Sequence, residues 1–155
     1  MKLAEALSLR KDLEKRISKL KDRLENVARI QVGDEPSENP EELMTELDRC
    51  LEQQERLVFS INTTNMKIVS EDGKTMTKLL AERDVLNKRI SILRNTFEHA
   101  SGSANRYYEV RTVSTIDVKP LRQKLDKYSQ QYRLLDMKIQ AMNFSNDLIE
   151  KKQGG

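Results

Sequence analysis

The chain has 155 residues, 28 of them Lys or Arg and 25 Asp or Glu, for a net charge of +3. Aromatic residues are 5%, and five Gly, three Pro and no Trp argue against a β-sandwich or an α/β barrel and for long amphipathic helices. One Cys and one His exclude a disulfide framework, a Cys-based zinc site and most histidine chemistry, so no catalytic residue, metal ligand or cofactor is expected.

The first segment places Leu13, Ile17, Leu20, Leu24 and Val27 at steps of four and three, a seam that extends back through Arg10 and Ala6 to Leu3. Such spacing turns one narrow stripe towards a partner helix. The pattern predicts a helix over residues 2–29 that fails before Gly33-Asp34-Glu35-Pro36. Asn39-Pro40-Glu41-Glu42 then combines an N-cap, a proline at the first helical position and acids on the positive helix end. The helix it opens, residues 40–67, carries the seam Leu43, Leu47, Cys50, Gln54, Leu57, Ile61 and Thr64.

Glu71-Asp72-Gly73 reads as a turn and Thr75 as the next cap. The third seam runs Met76, Leu79, Arg83, Leu86, Ile90, Leu93, Phe97 and Ala100, within a helix over 76–101. The fourth runs from Val118 through Leu121, Leu125, Tyr128, Tyr132, Leu135, Ile139, Met142 and Asn146 to Ile149, within 118–150, with Asp117 as cap. The expected fold is all-α: one domain, 1–155, of four long antiparallel helices with heptad seams, as a four-helix bundle or paired coiled-coil hairpins. Tyr107–Thr115, rich in Tyr, Val and Thr, and the shorter Ile30-Gln31-Val32 are expected to pair as a small β-ribbon at one end.

Charge is unevenly spread. Residues 1–29 carry a net +4, 30–60 a net −7, and 61–106 and 107–155 each +3. A basic helix followed by an acidic one uses much of the basic charge internally, which argues against nucleic acid as a partner. No run approaches the roughly 18 apolar residues of a membrane span. Glu5, Arg10 and Lys11 interrupt the opening segment where an export signal needs an apolar core, so a cytoplasmic protein is expected.

Three stretches in order resemble the septicolysin-like family of small bacterial all-helical proteins. They are the opening Met1-Lys2-Leu3-Ala4-Glu5-Ala6-Leu7 with Arg10, Glu71-Asp72-Gly73-Lys74-Thr75 followed by Arg83-Asp84-Val85-Leu86, and Val113-Ser114-Thr115-Ile116-Asp117-Val118. The resemblance implies an all-helical fold and no established activity, and the family's name implies a cytolysin.

Polar residues on the seams are the candidate site. If position 27 lies near 43, Arg10 is level with about residue 60, and if 66 lies near 76, Arg83 is level with about residue 59. Matching 100 to 118 sets Arg83 level with about residue 135, beside Asp136. Arg10 and Arg83 thus converge on one layer, with Asp84, Asp136, Asn62 and Asn65 within a turn of it. The layer is read first as ion pairs that fix register. As the alternative, two guanidiniums hold a small anion, a phosphate or carboxylate.

Other chemistry is not supported. Di-iron bundles need Glu-x-x-His pairs, and His99 stands alone; neither a phosphate-binding Gly-x-x-x-x-Gly-Lys loop nor a Gly-x-Ser-x-Gly elbow occurs. Cys50 reads as a small core residue and Arg106-Tyr107-Tyr108 as the closure of a bundle end. Regular heptads without recognisable chemistry lead to a non-enzymatic protein that works through protein–protein contacts, as a homodimer or higher homo-oligomer.

Overall fold

The computed structural model describes residues 1–102 and 110–151. The expected all-α fold is present, as helices α1 (Leu3–Val27), α2 (Pro40–Lys67), α3 (Met76–Ala100) and α4 (Val118–Ser145). They fall into two compact units: Met1–Ile68 together with the C-terminal residues from Asn143, and Val69–Met142.

In the first unit α1 and α2 form a hairpin. Ala6, Leu13, Leu20 and Val27, spaced by seven, are each at most 5% exposed, as are Leu43 and Cys50 on α2. Burying a Leu in such a seam stabilises the fold by roughly 1.5–3 kcal/mol. The intervening Arg10, Ile17 and Leu24 are only half-buried, since a two-helix seam leaves alternate positions open at its flanks. Arg16 to Glu46 at 3.0 Å and Arg23 to Glu38 tie the basic flank of α1 to acids in and just before α2, as the charge asymmetry anticipates. The Asn39 side chain accepts the Glu41 N–H at 3.0 Å with Pro40 at the first position, so α2 starts where the cap signals place it.

The same unit is closed by an extended C-terminal segment. Helix α4 ends at Ser145 rather than at 150, because the backbone beyond it finds other partners. The Leu3 N–H donates to the Asn146 carbonyl and the Leu148 N–H to the Met1 carbonyl, both at 2.9 Å, making an antiparallel bridge of Lys2 with Asp147. Leu148, not the seam residue Ile149, is thereby buried, at 8% exposure.

In the second unit α3 and α4 form the other hairpin. Met76, Leu79 and Ile90 are buried on α3, and Leu121, Leu125 and Ile139 on α4. Thr75 accepts the Lys78 N–H at 3.2 Å and Asp117 the Lys119 N–H at 3.2 Å, so both expected caps are in place. The turn before α3 is knitted by Ser70 N–H to the Lys74 carbonyl at 2.8 Å and Gly73 N–H to the Ser70 carbonyl at 2.9 Å. Gly73 takes φ +81°, a conformation that costs a side-chain-bearing residue about 1–2 kcal/mol.

The expected β-ribbon does not form among the described residues. Tyr107 and Tyr108 lie outside them, and Ile30–Val32 and 110–115 contain no strand. Local bonds explain this: the Asp34 N–H closes a turn onto the Gln31 carbonyl, with Gly33 at φ +93°. Ser114 Oγ both accepts the Ile116 N–H and donates to the Ile116 carbonyl, which bends the chain instead of extending it.

Candidate functional site

Of the residues expected in the polar layer, the structure joins Arg83 and Asp136. Arg83 Nη1 donates to Asp136 Oδ1 at 2.8 Å, across from α3 to α4. The side chains are 25% and 36% exposed, so the pair is half-buried. Asp84, next to Arg83 in sequence, is exposed and turns away from the seam, as adjacent helical residues must.

Arg10 belongs to the first unit, with Asn62 and Asn65 on α2. Asn62 is exposed, while Asn65 and Arg10 are half-buried. Leu9, next to Arg10 in sequence, shares a groove with Gln53, Arg56, Leu57 and Ser60. Arg10 makes no ion pair among the described residues.

Two polar constellations were not anticipated. Thr64, with no exposed surface, donates its hydroxyl to the Ser60 carbonyl at 2.8 Å and accepts the Ile149 N–H at 2.8 Å. It is the buried anchor of the C-terminal segment, and its seam position gave only a polar residue where Leu packs better. In the other unit Lys138 Nζ donates to Asp72 Oδ1 at 2.7 Å, and Ser70 Oγ donates to the same oxygen. Lys138 first, and Ser70 second, hold the Asp72 carboxyl down at about 2. Both arrangements have every partner supplied from within the fold, which is the pattern of a structural knot.

His99 sits exposed at the end of α3 with Nδ1 2.8 Å from the Asn95 carbonyl, and Cys50 is buried at 4% exposure. Arg106, Tyr107 and Tyr108 lie outside the described residues. No cluster of three or more His, Cys, Asp or Glu that could hold a metal occurs among the described residues, and no helix there is long and apolar enough to cross a membrane.

The feature that a single-seam reading overlooks is the outer surface of the helices. On α2, Met44, Leu51, Phe59 and Met66 are 41–62% exposed; on α3, Val85 and Ile92 are each 58% exposed. On α4, Leu134, Met137 and Phe144 are 61–69% exposed. The spacings of seven and eight on α2, and of seven on α3, gather these side chains into stripes about 130° or more round each helix from its seam. Between α3 and α4 a groove of about 500 Å³ is lined by Ala81, Val85, Leu86 and Leu135, with Lys78 and Arg89 at its rim.

The hairpins and their apolar outer stripes define the class: an all-α protein of four helices that carries second, exposed heptad faces. The chain belongs to the family of unknown function DUF6847, which it matches over residues 10–148. It is similar to the crystal structure of a functionally unknown conserved protein from Corynebacterium diphtheriae. The two are 36% identical, with 96% of this chain and 99% of that chain covered and a TM-score of 0.90. None of the curated proteins matches it.

Proposed function

We propose that this is a non-enzymatic cytoplasmic protein that acts by associating with itself and through protein–protein contacts. The observation that supports this reading is the set of exposed stripes on α2, α3 and α4. Single exposed apolar residues are ordinary, whereas repeated ones at helical spacing form a face that water solvates poorly and another helix covers well. Sedimentation velocity at micromolar concentration tests it: a dimer or larger species is expected, and a strictly monomeric protein overturns the reading.

Arg10 favours a second reading, the binding of a small phosphate or carboxylate. It is a half-buried guanidinium on a seam with no ion-pair partner among the described residues. Inorganic phosphate is expected to raise the melting temperature of the wild type and not of Arg10→Met; a flat response in the wild type removes this reading.

A further inference from the structure

We propose that the outer stripe of α2 docks, as a helix in a groove, onto the α3–α4 groove of a second copy of this chain. The inference rests on the self-association reading and names its two faces. On a helix of 100° per residue, Met44, Leu51, Phe59 and Met66 span an arc of about 80°. Asp48 and Glu55 fall inside that arc and Glu52 lies about 20° beyond its edge, so Leu51 is surrounded by acids. Asp48, Glu52 and Glu55 are exposed and form no ion pair among the described residues. The face is apolar along its middle and acidic around Leu51, while Lys151 Nζ lies 5.5 Å from the ring centre of Phe59 further along it.

The α3–α4 groove is its complement. Its walls are Ala81, Val85, Leu86 and Leu135, in a volume of about 500 Å³. That is room for a leucine-sized side chain and its neighbours rather than for a whole helix, which suits a helix laid along the rim with one residue inserted. Lys78 and Arg89 border the groove, and Lys88 lies on the same face of α3 about 60° from Val85. Glu82, the acid beside them, is already neutralised by Lys74 at 2.9 Å. Arg89 lies 5.2 Å from the Tyr128 ring centre and makes no ion pair among the described residues. Asp84, on the far edge of that face, is the remaining acid there and is outnumbered by the three bases.

The occupant follows from this chemistry. An amphipathic helix with an acidic apolar face is what the basic apolar groove selects, and α2 is such a helix, present on every copy at equal concentration. Each copy carries both faces, so two copies offer two such contacts between them. A single α2-to-groove contact is small beside the roughly 1,600 Å² of a standard interface. Opposite charges on the two faces also give the encounter a salt-sensitive rate and exclude the wrong pairing of α2 with α2.

The experiment is a charge-swap complementation in the full chain, read by sedimentation velocity, with circular dichroism to show each variant helical. One variant carries Asp48→Lys and Glu55→Lys, the other Lys78→Glu and Lys88→Glu. All four side chains are exposed, so the fold is expected to tolerate them. Each variant alone is expected to associate at least tenfold more weakly than wild type. An equimolar mixture is expected to recover association, because each acidic α2 face then meets a basic groove only across the two different chains. If the wild type associates and both variants associate equally well, α2 and the groove are not the interface, although self-association stands. If the wild type is monomeric, the self-association reading itself falls. An apolar probe, Leu51→Ser, is expected to weaken association without lowering the melting temperature; unchanged association of this variant also overturns the proposal.

Discussion

Ile149 donates its backbone N–H to the hydroxyl of Thr64 at 2.8 Å, at a side chain with no exposed surface, and so fastens the C-terminal segment to the end of α2. Replacing Thr64 by Val keeps the shape and removes the acceptor, leaving a peptide N–H without its partner. Such a loss costs about 1–3 kcal/mol, whereas Thr64→Ser keeps the oxygen and costs less. Urea denaturation of the three proteins checks this; equal midpoints for Val and Thr would show that the clasp contributes nothing to stability.

Arg83 and Asp136 are half-exposed, so their ion pair is screened and its contribution modest. A double-mutant cycle with Arg83→Leu and Asp136→Asn is expected to give a coupling of about 0.5–1 kcal/mol. Asp136→Asn alone is expected to cost more than the double variant, because it leaves an unopposed guanidinium on the seam. A coupling near zero would reduce the pair to a surface contact without a role in register.

The helices were legible because their signals are local: Asn39 with Pro40, Thr75 and Asp117 each mark a start with a side chain that accepts a nearby N–H. The partnership of Arg83 with Asp136 followed from counting helical rise between two seams. The end of α4 was not legible, because its seam continues in sequence to Ile149 while residues 146–149 bond to Met1, Leu3 and Thr64, far away along the chain. The outer stripe of α2 was within reach. Met44 and Leu51 directly follow the seam residues Leu43 and Cys50, and a search for one stripe per helix assigns such neighbours to solvent.

Cys50 lies on the α1–α2 seam with 4% of its surface exposed. A thiol packed in this way behaves as a small apolar group and reacts only when the hairpin opens. A thiol reagent is expected to label the native protein at least about a hundredfold more slowly than the urea-unfolded protein. Rapid stoichiometric labelling under native conditions would place the thiol at the surface. Cys50→Ser, which sets a hydroxyl in the seam, is expected to cost about 1–2 kcal/mol, and Cys50→Ala about 1 kcal/mol.

Asp72 carries a pH dependence whose sign can be worked out. Its carboxyl titrates at about 2 in the folded chain against 3.8 ordinarily, first because Lys138 and then because Ser70 hydrogen-bond the ionised form. The folded state therefore binds the proton less readily than the unfolded chain does. The stabilisation from Asp72 is fully present above about pH 4 and is lost as pH falls through the interval down to about 2. An NMR titration of the Asp72 carboxyl carbon is expected to give a midpoint near 2 in the wild type, rising towards 3.8 in Lys138→Met. Since Lys138 and Asp72 are 38% and 50% exposed, salt is expected to shift the wild-type midpoint upwards as well. A wild-type midpoint already near 3.8 would mean that Lys138 does not hold Asp72 in solution, and that the turn before α3 rests on its backbone hydrogen bonds and Ser70 alone.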